Sequence, residues 1–174
     1  MIELVSEPII DLYAAVRTSA AKAEAIINEV AGRYASELDE FVKNAETYLD
    51  RVRDSDSQQF DDASLQRMSM RLPILLYRVC EGLDRSAIDA DVAKAAVELV
   101  RAQHYLSAPE GTIPERKAYA DLSTADESAV VDLTKHVHAR LKNKIEFATA
   151  LQDGIKKTMT SRDTERAVFL REKR

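Results

Sequence analysis

The stretch VRTSAAKAEAIINEVAGRYASELDEFVKNAETYLDRV, residues 16–52, decides the fold. Apolar or small residues recur at Val16, Ala20, Ala23, Ile27, Val30, Tyr34, Leu38, Phe41, Ala45, Tyr48 and Val52. The steps alternate between four and three residues, with one stutter near Gly32, which is the repeat of a helix packed along other helices. Nothing between Pro8 and Arg53 stops that helix, and Pro8 suits a first turn, where its missing N–H is not needed. A helix over 8–53 is about 65 Å long at 1.5 Å per residue, so it needs partner helices of similar length.

Composition extends this reading to the whole chain. Of 174 residues, 32% are charged, and only four are glycine and four proline. Such a chain is poor in breakers and rich in helix formers, and no alternating Val, Ile or Thr run bounded by turn residues argues for a strand. The length fits a single all-helical domain, 1–174. After 8–53 the pattern predicts helices over 62–83, 88–106 and 124–170, with a loop at 107–122. Long helices thus lie at both ends and two shorter ones between, in a bundle or coiled-coil arrangement that forms an oligomer.

The polar stretch DSDSQQFDDAS (54–64) separates the first two helices, with Asp61, Asp62 or Ser64 as cap. In the second helix Leu65, Met68, Leu72, Leu75 or Leu76, Val79 and Leu83 make the apolar face, and Pro73 kinks it or delays its start. EGLDRSAIDAD (81–91) reads as the next break, with Gly82 near a C-terminus. The third helix then buries Ile88, Val92, Ala95, Leu99, Ala102 and Leu106. STADES (123–128) offers a cap for the last helix.

Chemistry is sparse. Cys80 is the single cysteine, which excludes an internal disulfide and a multi-thiolate zinc site. Its apolar neighbours read as a buried, inert thiol. His136 and His138 are two apart and point away from each other on a helix, so they share no metal ion. The four glycines are isolated, so no phosphate-cradling loop is present. No nucleophile–base pair stands out, and the expectation is a protein with no enzymatic activity, metal or cofactor. The start of the chain lacks a basic segment followed by a long apolar one, and no apolar run approaches about 20 residues. The expected location is the cytoplasm, away from membranes.

Charge is uneven. Residues 1–66 hold 14 acids against 6 bases, whereas residues 154–174 hold seven bases against three acids. Arg67, Arg71, Arg78 and Arg85 fall on one helix stripe, which can bind phosphates or pair with the acids of the first helix. Lys94 and Arg101 share a face that leads to Tyr105 and the loop. Tyr105 and Tyr119 flank the Arg116-Lys117 pair, and bases of single-stranded DNA stack on such rings. In the tail, Lys156, Lys157, Arg162 and Arg166 suit a polyanion or an oligomer seam.

From Arg101 onward the chain resembles the small helical recombination-mediator proteins of T-even and related phages. The residues that carry this are RAQHYLS (101–107), the glycine-containing loop, ERKAYADLSTAD (115–126) and EFATALQDGIKKTMTSR (146–162). The resemblance implies an all-helical, phage-encoded protein of DNA recombination that acts in the host cytoplasm. It would bind single-stranded DNA at a helix hairpin and help a recombinase replace the single-strand-binding protein. Arg101, Arg116 and Lys117 would contact DNA, joined by Lys94, Tyr105, Lys156, Lys157 and Arg162. Leu141, Ile145, Leu151, Ile155 and Met159 would carry assembly into a homo-oligomer. The family's pair of bases two apart before the tyrosine is missing here, where Ala102 and Gln103 stand. The competing reading is a coiled-coil interaction module, a phage inhibitor or adaptor docking on a host protein, with no nucleic-acid role.

Overall fold

A computed structural model describes the backbone of residues 7–54 and 61–172 and the side chains of 20–50 and 61–171. The described residues are all-α and form four helices: α1 (Glu7–Asp54), α2 (Asp62–Ser107), α3 (Ile113–Ser123) and α4 (Ala125–Glu172). The side chains of Pro8, Val16 and Val52, and most of the 54–64 break, lie outside the described residues.

Two expectations about element order are corrected. The break at 81–91 is absent, and α2 runs unbroken from Asp62 to Ser107, through Pro73 and Gly82. The loop at 107–122 shrinks to a short link, because α3 begins at Ile113. Thr112 and Glu115 form a capping box. The backbone N–H and the hydroxyl of Thr112 both donate to the Glu115 carboxylate, at 2.7 and 2.9 Å. Pro114 then sits in the first turn, where a proline starts a helix rather than stopping one. A single residue, Thr124, separates α3 from α4. It is buried, and its hydroxyl donates to the Ala120 carbonyl.

The fold comprises two compact units. One takes α1 from Tyr34, α2 up to Arg85 and α4 from Leu141. Its core is Ala35, Leu38 and Ala45 of α1, Leu65, Leu72, Leu75 and Val79 of α2, and Leu141, Ala148 and Ile155 of α4. The α4 residues recur every seven positions, the spacing that keeps one face on its neighbours. Helices α1 and α2 run antiparallel. Near one end the Asp61 N–H donates to the Tyr48 hydroxyl at 2.9 Å, and towards the other Arg78 meets Glu37 at 2.6 Å. Arg162 and Arg166 of α4 both pair with Asp62 at the start of α2, and Lys144 pairs with Asp39.

In this unit Gly82 is a packing residue, not a helix end. A Cβ placed there would lie 2.6 Å from Cβ of Tyr34, so glycine lets the two helices meet. Of the three candidate caps Asp61, Asp62 and Ser64, it is Asp61 that caps α2. Its carboxylate accepts from the Ser64 hydroxyl at 2.6 Å and the Ala63 N–H at 3.1 Å. Cys80 is exposed, not buried. The inner face of α2 runs through Val79 and Gly82, and Cys80 is turned about 100° from Val79.

The other unit takes α1 up to Arg33, Ser86–Arg140 of α2 to α4, and the whole of α3. Its buried residues are small: Ala31, Ser86, Ala120, Thr124, Val131 and Val137. Ser86 Oγ lies 3.2 Å from Nδ1 of His138, linking α2 to α4. Here the apolar face expected for 88–106 is reversed. Ile88, Val92, Leu99 and Leu106 are 62–76% exposed, and Ala95 and Ala102 are exposed with them. The inward positions are Ser86, Ala90, Ala93, Val97, Val100 and His104, all buried or half-buried. The physical reason is helical phase. An unbroken helix carries the inward face of Leu72, Leu75, Val79 and Gly82 forward in steps of three and four, and Ile88 is out of step with it.

Candidate nucleic-acid interface

The tip where α2 turns back into α3 gathers several of the residues singled out by the sequence. Arg116, in the first turns of α3, reaches back to the end of α2. Its guanidinium donates to the Tyr105 carbonyl at 2.9 Å and the Leu106 carbonyl at 3.5 Å, and lies 4.8 Å from the centroid of the Tyr105 ring. The last carbonyls of a helix lack intrahelical partners and carry partial negative charge, so a cation there is favourable. Arg116 therefore clamps α2 to α3 and holds the Tyr105 ring. Both hydrogen bonds run from one terminal nitrogen, Nη2, and among the described residues the buried Nε has no hydrogen-bond partner.

Arg101 faces α3 as well, 2.5 Å from Asp121. Both side chains are about half exposed, 52% and 54%, so this ion pair contributes little to stability. His104 and Tyr119 meet edge to face with ring centroids 6.5 Å apart.

These contacts border an open cleft of about 440 Å³. Ala102, Leu106 and Ala120 supply apolar wall, and the Tyr105 ring lines it as well. The lining is almost wholly apolar, so Arg101, Lys117 and Glu98 border it through their side-chain stems, with their charged ends at its rim. An apolar slot with cations at its edge accepts a flat, weakly polar group that carries an anion beside it. The structure thus brings together Arg101, Tyr105 and Lys117, with Arg116 behind them. Lys94 is exposed two turns earlier on α2 and does not line the cleft.

Lys156 and Lys157 are exposed on α4 in the other unit, and Arg162 is engaged with Asp62. Leu141 and Ile155, expected to carry assembly, are buried in that unit's own core. Ile145, Leu151 and Met159 are half-buried. The α2 arginine stripe is partly occupied too: Arg78 pairs with Glu37 of α1, as the charge layout allowed, and Arg67 with Asp61.

Sequence reasoning did not find Glu98, Ala102, Leu106 and Ala120 as cleft walls, nor Asp121 as the partner of Arg101. The Thr112–Glu115 box was the available signal, because it turns α3 back along α2. Among the described residues no group of three or more His, Cys, Asp or Glu is placed to hold a metal ion. Among the same residues no helix is long and apolar enough to cross a membrane. Compared with protein-family models, curated proteins and solved structures, the chain matches none of them, so the reading of this cleft rests on its own residues.

Proposed function

We propose that the protein is a non-enzymatic accessory factor of phage-type DNA recombination that binds single-stranded DNA and assists recombinase loading. The observation that carries this reading is the cleft in which Arg101, Tyr105 and Lys117 converge. An unstacked base enters against Tyr105 and the apolar wall. Lys117 and Arg101 meet the flanking phosphates, Arg101 by exchanging Asp121 for phosphate. Lys94 extends the basic track along α2. The likeness of 101–162 to phage recombination mediators supplies the biological setting, with a recombinase and a single-strand-binding protein as partners.

Fluorescence anisotropy with a labelled oligonucleotide over a salt series tests the DNA half. Lys117→Ala should weaken binding several-fold and reduce the slope of log K against log salt by about 0.7. The fold should be unchanged. Arg116→Ala should weaken binding and stability together, because it frees the end of α2. Absence of binding at low salt, or binding indifferent to Lys117→Ala and Arg101→Ala, removes the DNA role.

A second reading, a protein-interaction module without nucleic acid, is favoured by the exposed apolar row on α2. Sedimentation with and without oligonucleotide separates the two.

A further inference from the structure

The rim of the cleft holds one group that a site for a polyanion does not need. Glu98 stands on α2, one turn before Arg101 and Ala102 and two turns before Tyr105. That spacing puts Glu98 and Tyr105 within about 20° of each other around the helix and about 10 Å apart along it. The Glu98 side chain is exposed, and among the described residues its carboxylate has no ion-pair or hydrogen-bond partner. Arg101, one turn on, pairs with Asp121 instead. An unpaired carboxylate here repels the phosphates that Arg101 and Lys117 attract. It favours a nucleic acid only where it meets a donor, and in single-stranded DNA the donors are on the base edges.

We propose that Glu98 makes the cleft selective for the base it holds, with guanine preferred and thymine disfavoured. The inference rests on the reading of the cleft as a single-stranded DNA site. The ring of Tyr105 and the apolar wall of Ala102, Leu106 and Ala120 cover the faces of a base, so its hydrogen-bonding edge is read at the rim. Of the rim groups, Arg101 and Lys117 only donate, and a carboxylate only accepts. The two cations therefore serve phosphate, and Glu98 serves the edge. Guanine presents two neighbouring donors on its Watson–Crick edge, N1–H and the 2-amino group, which match the two oxygens of one carboxylate. Adenine and cytosine each present a single amino group there. Thymine presents one N–H between two carbonyl oxygens, and those oxygens face the carboxylate unfavourably.

Short thymine oligonucleotides with a central thymine, guanine or hypoxanthine, which lacks the 2-amino group, test this by fluorescence anisotropy on the full chain at low salt. The guanine oligonucleotide should bind about fivefold or more tighter than the thymine one, with hypoxanthine between them. Glu98→Gln should bring the three affinities together and tighten binding of the thymine oligonucleotide, because the repulsion is gone. A carboxylate that acted on phosphate alone would change all three affinities by one factor and leave their ratio where it was. Lys117→Ala should show that second pattern, weakening all three equally. Both residues are exposed, so helical content by circular dichroism should stay the same in both variants. Equal binding of the three oligonucleotides, or a guanine preference that survives Glu98→Gln, overturns the proposal and leaves the DNA reading standing. Absence of binding to all three removes the DNA reading, and the proposal with it.

Discussion

Gly82 is the residue on which the approach of α1 and α2 turns. Its missing side chain leaves the space that Cβ and the ring of Tyr34 occupy. Gly82→Ala raises helix propensity in α2 but forces the Tyr34 contact apart. The overlap outweighs the propensity gain, and we expect a loss of about 1–3 kcal/mol, checked by chemical denaturation. Two carboxylates tie stability to pH. The Ser64 hydroxyl, the Ala63 N–H and Arg67 hold Asp61 below the usual carboxylate range. The backbone N–H and hydroxyl of Thr112 do the same for Glu115. A carboxylate with a depressed pKa contributes stability above its unfolded pKa and loses it as pH falls through the folded one. Melting temperature should therefore drop in the acid range below the ordinary carboxylate pKa. In Asp61→Asn that drop should be shallower, from a lower starting value at neutral pH. Cys80, exposed beside buried Val79, shows the limit of reading a residue from its neighbours in sequence, because burial depends on helical angle.

At the scale of elements, α2 and α3 hold the main departures from what the sequence leads one to expect. EGLDRSAIDAD has the composition of a loop, yet it is helical. Gly82 packs against Tyr34, and Ser86 meets His138. Tertiary contacts on both sides of the segment outweigh its weak propensity. Amides of residues 83–90 should therefore exchange as slowly as those of 72–79 in hydrogen-exchange measurements. Fast exchange there would restore the break. The opposite error concerned 113–123, where Pro109, Gly111 and Pro114 overshadow the capping box at Thr112 and Glu115. Glu115→Ala removes both hydrogen bonds to Thr112. It should speed exchange through the first turn of α3 and weaken oligonucleotide binding indirectly, through loss of the cleft wall.

For the molecule as a whole, stability is concentrated in the large aliphatic core of the unit built from Tyr34–Arg85 and Leu141 onward. Leu72 and Leu141 are fully buried there. Leu72→Ala should cost about 2–5 kcal/mol by cavity formation. The exposed ion pair of Arg78 with Glu37 should contribute under about 1 kcal/mol, measured by a double-mutant cycle. The all-helical class, the extents of α1 and α4 and the inner face of α2 up to Leu83 were legible in the chain alone, and the cap of α2 was narrowed to Asp61, Asp62 or Ser64. Periodicity and caps are local, and these segments each carry one clear apolar stripe. The α2 segment 88–106 carries two stripes, one of small residues and one of larger ones. Amphipathicity favours the larger, but the unbroken helix inherits its phase from Leu72, Leu75 and Val79, and that phase turns the small stripe inward. Only packing could decide this, and with it the fate of the cations. Arg101, Tyr105 and Lys117 converge because α3 folds back on α2, and Arg116, one residue from Lys117, donates to the carbonyls of Tyr105 and Leu106.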